Sequence, residues 1–207
     1  MQKISDKKII IKGNFRPLYT MNMPQHYESI WCKGDPEKNI ETARMILEQH
    51  SIKVFVFEDS CGIRASSIIG FPQVFLNKSH RFWYNPHKVS LETRKSGRMS
   101  TSNPMGVIYH EIAHTKDRYN LSRSRKGNLQ WKNLSDIEVA RRVSMYAAIH
   151  PVEFVAEVYA ALKTGRRFDY QVMRLYMQES GRNYQRVKSL NSGKLDSTHS
   201  TADAIKG

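Results

Sequence analysis

The chain has 207 residues, enough for one domain with a sizeable core, and its 40% apolar and 10% aromatic content exclude an intrinsically disordered protein. No apolar run approaches the roughly 20 residues of a membrane-spanning helix, and the three-isoleucine run after Met1 to Lys8 is too short for a cleaved Sec signal. The net charge of +14 is spread along the chain rather than gathered in a tail; it attracts nucleic acid, acidic proteins and anionic surfaces without specifying any of them.

The expectation is therefore a soluble protein. It would be cytoplasmic, carried in a virion or delivered by a non-Sec route. Cys32 and Cys61 belong to no Cys-x-x-Cys pair and are expected as reduced thiols.

Taken in order, residues 4–12 read as a short strand around Ile9-Ile10-Ile11, and Gly13 to Gly34 as irregular chain. Asp35-Pro36-Glu37 has the marks of a helix start: a capping aspartate, a proline at the first helical position and an acid in the first turn. That helix is expected to reach about Gln49 and to bury Ile40, Ala43, Ile46 and Leu47. Ile52 to Phe57 is a strand, rich in β-branched and aromatic residues. Ser66 to Gly70 and Gln73 to Asn77 are expected as further short strands, with Arg81 to Tyr84 a candidate for another. Phe71-Pro72 between them favours a break or a sheet edge, where an extended peptide can pair. Residues 85–103 read as a polar, basic loop.

Ser102-Asn103-Pro104 opens the next helix, which carries Val107-Ile108-Tyr109-His110-Glu111-Ile112-Ala113-His114-Thr115-Lys116-Asp117. On a helix, residues i and i+4 share a face, so His110 and His114 can reach one metal ion. Glu111, one step round, is placed to act as general base on a metal-activated water. A basic connection follows, with no acid between Arg118 and Ser135, and is expected to be mobile. Helices are then expected from Ser135-Asp136 through Ala148, from Val152 to Lys163 after the His150-Pro151 break, and from Phe168 to about Ser180. Residues 182–207 read as a polar, flexible tail.

Two histidines need a third ligand. Glu153 and Glu157 stand at i and i+4 on a helix otherwise made of Phe154, Val155, Val158, Tyr159 and Leu162, and no Lys or Arg occurs between Arg142 and Lys163. Two carboxylates on such a face repel each other and are costly to bury unless a cation meets them. A metal held by His110 and His114 is that cation, with Glu153 as third ligand and Glu157 orienting a ligand histidine through its distal nitrogen. The competing reading is a pair of surface carboxylates on a half-exposed helix.

Taken together, His110-Glu111-x-x-His114-x-x-Asp117, Tyr146, and Glu153-Phe154-Val155-Ala156-Glu157 resemble the zinc metallopeptidases of the anthrax lethal factor and Pro-Pro endopeptidase type, within the gluzincins. The resemblance covers roughly residues 104–163 and extends to Pro151, two before Glu153. Val155 departs from the phenylalanine of the family's Glu-Phe-Phe-Ala-Glu block.

The resemblance implies an α+β, zincin-like catalytic domain over residues 1–181, with a small mixed sheet, an edge strand near the cleft and a helical C-terminal part. It implies Zn²⁺ as cofactor, His110, His114 and Glu153 as metal ligands, and Glu111 and Tyr146 as catalytic residues. Asp117 is implied to orient the active-site helix or a ligand, and the activity to be hydrolysis of a protein or peptide substrate by a toxin- or phage-associated enzyme. Charge alone supports an alternative: a basic structural or nucleic-acid-associated protein, such as a virion component, with a vestigial or structural zinc site.

Overall fold

The computed structural model describes residues 30–181. The strand expected over 4–12 and the tail over 182–207 lie outside the described residues. Within them the architecture is mixed α+β: a small three-stranded sheet and seven helices.

Helix α1, Pro36–Gln49, begins as the sequence predicts. The Asp35 side chain accepts from Lys38 N, and Ile40, Ala43, Ile46 and Leu47 are buried. Strands β1 (Lys53–Phe57), β2 (Ala65–Ser67) and β3 (Gln73–Asn77) form a sheet in the order β1-β3-β2. The pair β1–β3 is parallel, with Phe55 opposite Phe75, and β2–β3 is antiparallel, with Ser66 opposite Phe75. Thus β2 has one edge unpaired within this sheet. It is shorter than the expected 66–70 strand because the chain turns at Gly70, whose φ of +74° suits glycine. A Cβ there would also lie 2.7 Å from Leu121 Cδ2. Gly70 N donates to His114 O at 2.8 Å, tying this turn to the metal-site helix.

Residues 81–84 are turns rather than a strand. Their aromatic run is there for the core: Phe82 and Trp83 are fully buried, and Trp83 Nε1 donates to Asn77 O at 2.7 Å. The polar stretch read as a loop over 85–103 contains helix α2, Pro86–Lys95, capped by Asn85 accepting from Lys88 N. Its Asn-Pro start repeats the signal that opens α1.

Helix α3, Met105–Lys116, is buried from Met105 through Thr115. It packs against α1, β2 and β3 on one side and against α6 on the other. The basic connection expected to be mobile contains helix α4, Arg118–Arg125. Buried Asn120 donates through Nδ2 to Glu179 O, and the Arg123 guanidinium pairs with Glu179, so α4 is fastened to the end of the last helix. Helix α5, Leu134–Arg141, ends seven residues before the expected Ala148, and residues 145–149 form turns.

Helix α6, Pro151–Lys163, starts at the proline, one residue before the expected Val152, and is almost wholly buried. Helix α7, Tyr170–Glu179, is capped by Asp169. The core has two clusters. One joins α1, the sheet and α3, and includes Ala160 of α6. The other gathers Phe154, Val155 and Val158 of α6 with Val172, Leu175 and Tyr176 of α7. Helix α6 therefore bridges them, alongside α3.

Candidate metal centre

Where α3 and α6 lie side by side, His110, His114 and Glu153 converge. His110 Nε2 is 3.0 Å from Glu153 Oε2, His114 Nε2 is 3.3 Å from the same oxygen, and the two Nε2 atoms are 3.0 Å apart. These three residues form a group that can hold a metal ion. The buried Glu153 Oε2 finds no well-formed hydrogen bond among the described residues. Three donor atoms crowded about one point, with Glu153 Oε2 left without a well-formed hydrogen bond, are what a cation between them would satisfy. The spacing agrees: tetrahedral zinc with bonds of about 2.0–2.1 Å separates its donors by about 3.3 Å. The residues fit a metal ion.

Glu157, one turn after Glu153, is fully buried. Its Oε1 lies 3.0 Å from His110 Nδ1, and its Oε2 accepts from Ser100 N at 2.6 Å and Ser144 Oγ at 3.0 Å. An ionised carboxylate only accepts, so His110 donates from Nδ1, and in the neutral ring its Nε2 lone pair faces the centre. Ser100 Oγ also donates to Glu157 O at 2.8 Å, locking the 99–101 segment onto α6.

The electrostatics have the same logic. Burial pulls His110 down, but its contacts with Glu153 and Glu157 more than reverse this and raise its pKa to about 10. Burial pushes Glu153 and Glu157 up, yet the imidazoles beside Glu153, and His110 with Ser100 and Ser144 around Glu157, hold both carboxyls below the usual range. The carboxylates stay ionised and demand positive charge at their centre, from a proton or from a metal ion.

Glu111 is buried on α3, and Ser67 of β2 donates to its Oε2 at 2.7 Å. The edge strand thereby steadies the carboxylate next in the chain to His110. Tyr146 lies in the turn after α5, where Met145 N and Tyr146 N donate to Gly97 O and Arg98 O at 2.8 and 3.3 Å. Its ring centroid is 5.7 Å from that of His110. Burial first, then the charges of Glu153, Glu111 and Glu157, push the phenol upward, so its hydroxyl stays a donor.

Asp117 spends both carboxylate oxygens on Asn120, accepting from its N at 3.0 Å and its Nδ2 at 2.6 Å. Its carboxylate caps α4 and makes no hydrogen bond to the His114 ring, while its backbone N donates to His114 O at 3.2 Å. His114 Nδ1 is buried and unpartnered among the described residues. His150 caps α6, its Nδ1 accepting from Val152 N at 3.3 Å.

The structure thus brings together His110, His114, Glu153, Glu157, Glu111 and Tyr146. It adds Ser67, Ser100 and Ser144, which sequence reasoning missed because lone serines far apart in the chain carry no spacing signal. No protein family, no curated protein and no solved structure matches this chain.

Proposed function

We propose that the chain is a zinc-dependent peptidase that hydrolyses peptide bonds with an activated water. The observation that carries this reading is the three-donor cluster of His110, His114 and Glu153 with Glu111 buried beside it. The resemblance to the lethal factor and Pro-Pro endopeptidase type supports the same reading.

His110, His114 and Glu153 would hold the metal, and Glu157 fixes His110 in the tautomer that leaves Nε2 free. Bound Zn²⁺ supplies Lewis acidity that polarises a carbonyl and makes water a nucleophile near neutral pH. Glu111, one step round the helix from the ligands, takes the proton of the attacking water and returns it to the leaving amine. Ser67 donates to one Glu111 oxygen, which restricts the rotamer and leaves the other oxygen for that proton. The Tyr146 hydroxyl, kept protonated by its surroundings, donates to the developing oxyanion.

Glu111→Gln tests the reading. The amide keeps the shape and cannot act as a base, so cleavage of a peptide library is expected to fall by about 10²–10⁴-fold while the metal stays bound. Equal turnover by the variant and the wild type would remove Glu111 from the chemistry. Tight, salt-dependent nucleic-acid binding with no cleavage by either protein would favour a basic structural protein instead.

A further inference from the structure

Arg64 directly precedes β2, the strand that holds Glu111 through Ser67. Its side chain is partly buried, with the guanidinium carbon 5.8 Å from the centre of the fully buried Phe82 ring. Among the described residues the guanidinium makes no hydrogen bond and no ion pair. A guanidinium carries five donors in a rigid fork, and a partly buried one with no protein acceptor is open to an acceptor from a ligand.

The nearby carboxylates are already engaged. Both oxygens of Glu157 are taken by His110, Ser100 and Ser144. One oxygen of Glu111 is taken by Ser67, and Glu153 faces the two imidazoles.

Arg98 adds a second cation. Its carbonyl accepts from Tyr146 N, and its side chain is exposed with no ion pair among the described residues. Burial lowers the Arg64 pKa; the charges of Glu157, Glu111 and Tyr146 oppose this, and Arg98 adds to it. These charges act on the guanidinium, which also acts on His80, and the hold of β2 on Glu111 puts Arg64 three residues from that contact. Two arginines beside the reacting groups, with no acid devoted to either, form a subsite for an anionic group. A planar carboxylate matches the guanidinium fork.

We propose that Arg64, assisted by Arg98, binds a carboxylate of the substrate, so that the cleft selects peptides with an acidic group beside the scissile bond. This rests on the peptidase reading. The carboxylate comes from an Asp or Glu side chain or from a free C-terminus.

The test compares zinc-loaded wild type with Arg64→Gln, Arg64→Lys and Arg64→Glu on matched peptides. One pair differs by Glu against Gln near the cleaved bond, the other by a free against an amidated C-terminus. The wild type is expected to favour the carboxylate member of one pair by about tenfold or more in kcat/KM, the pair showing which source is used. Arg64→Gln collapses this preference through KM, Arg64→Lys retains part of it, and Arg64→Glu turns it toward a Lys-bearing peptide, a reversal that mere loss of structure does not produce. Equal use of both members of both pairs by the wild type, or an unchanged preference in Arg64→Glu, overturns the proposal.

A second arm needs no turnover. Glutarate titrated into the full chain is expected to shift the Arg64 Nε–H resonance, assigned by its absence in Arg64→Lys. If no peptide is cleaved, the peptidase reading fails while this shift still supports the subsite; absence of the shift overturns the subsite itself.

Discussion

At the residue scale, the histidines illustrate how environment assigns roles to one side-chain type. His110 is held protonatable by two carboxylates, and its role follows from them. His80 has the opposite surroundings. Burial first, then Arg64 and Arg81, lower its pKa from 6.5 to about 4, and its Nδ1 accepts from Phe82 N at 3.0 Å. The unfolded chain therefore binds a proton on this ring before the folded chain does. Its contribution is fully present above about pH 6.5 and is lost as pH falls toward about 4. In His80→Asn the amide oxygen takes the place of Nδ1 as acceptor and does not titrate. Urea midpoints measured across that window should fall less steeply in the variant than in wild type. Parallel slopes would show that His80 contributes nothing to the acid sensitivity. Among the site residues, His110, His114 and Glu111 were legible from spacing, and Glu153 and Glu157 from the absence of basic partners. Arg64 was not, because only the fold brings it to the cleft.

At the scale of elements, α3 holds its place through a very close approach. A Cβ on Gly106 would lie 2.1 Å from Thr101 Cγ2. Thr101 cannot swing away freely, since its Oγ1 accepts from Asn103 N at 3.1 Å and lies 2.9 Å from Thr164 Oγ1. Gly106→Ala is expected to destabilise by about 1–3 kcal/mol through overpacking. Adding Thr101→Ser, which removes the clashing methyl and keeps the hydroxyl, should restore most of this. Chemical denaturation of the two variants decides it, and full stability of Gly106→Ala alone would contradict the packing account.

The elements also show what the sequence made readable. Asp35-Pro36 announced α1 because a cap followed by proline is a local signal, and the His150-Pro151 break announced α6. Asn85-Pro86 sends the same signal, but the basic composition after it suggested a loop. Helix α4 had little signal beyond its local Asp117 cap; Asn120 to Glu179 O and the Arg123–Glu179 pair secure it through contacts distant in sequence. The aromatic run over 81–84 resembled a strand because burial and strand propensity favour the same residues.

Across the whole molecule, α6 joins two hydrophobic clusters, and the metal-ligand set spans α3 and α6 at their contact. The excess of positive charge forms a field around a centre that is itself rich in carboxylates. Such a surface attracts acidic groups in general, while the partly buried Glu153 and the buried Glu157 favour a cation at its centre. The α+β class, implied by the resemblance, was also legible because strand patterns cluster over 52–77 and helical patterns dominate the chain after them. The parallel β1–β3 pairing was not, since register between distant strands leaves no local trace.

The central claim is that His110, His114 and Glu153 form one metal site, and zinc stoichiometry tests it most directly. Elemental analysis of purified, zinc-exposed protein should give about one zinc per chain in wild type, with the metal lost or greatly weakened in His110→Ala and in Glu153→Ala. Full zinc retention in folded Glu153→Ala would contradict the account, because it would place the third ligand elsewhere.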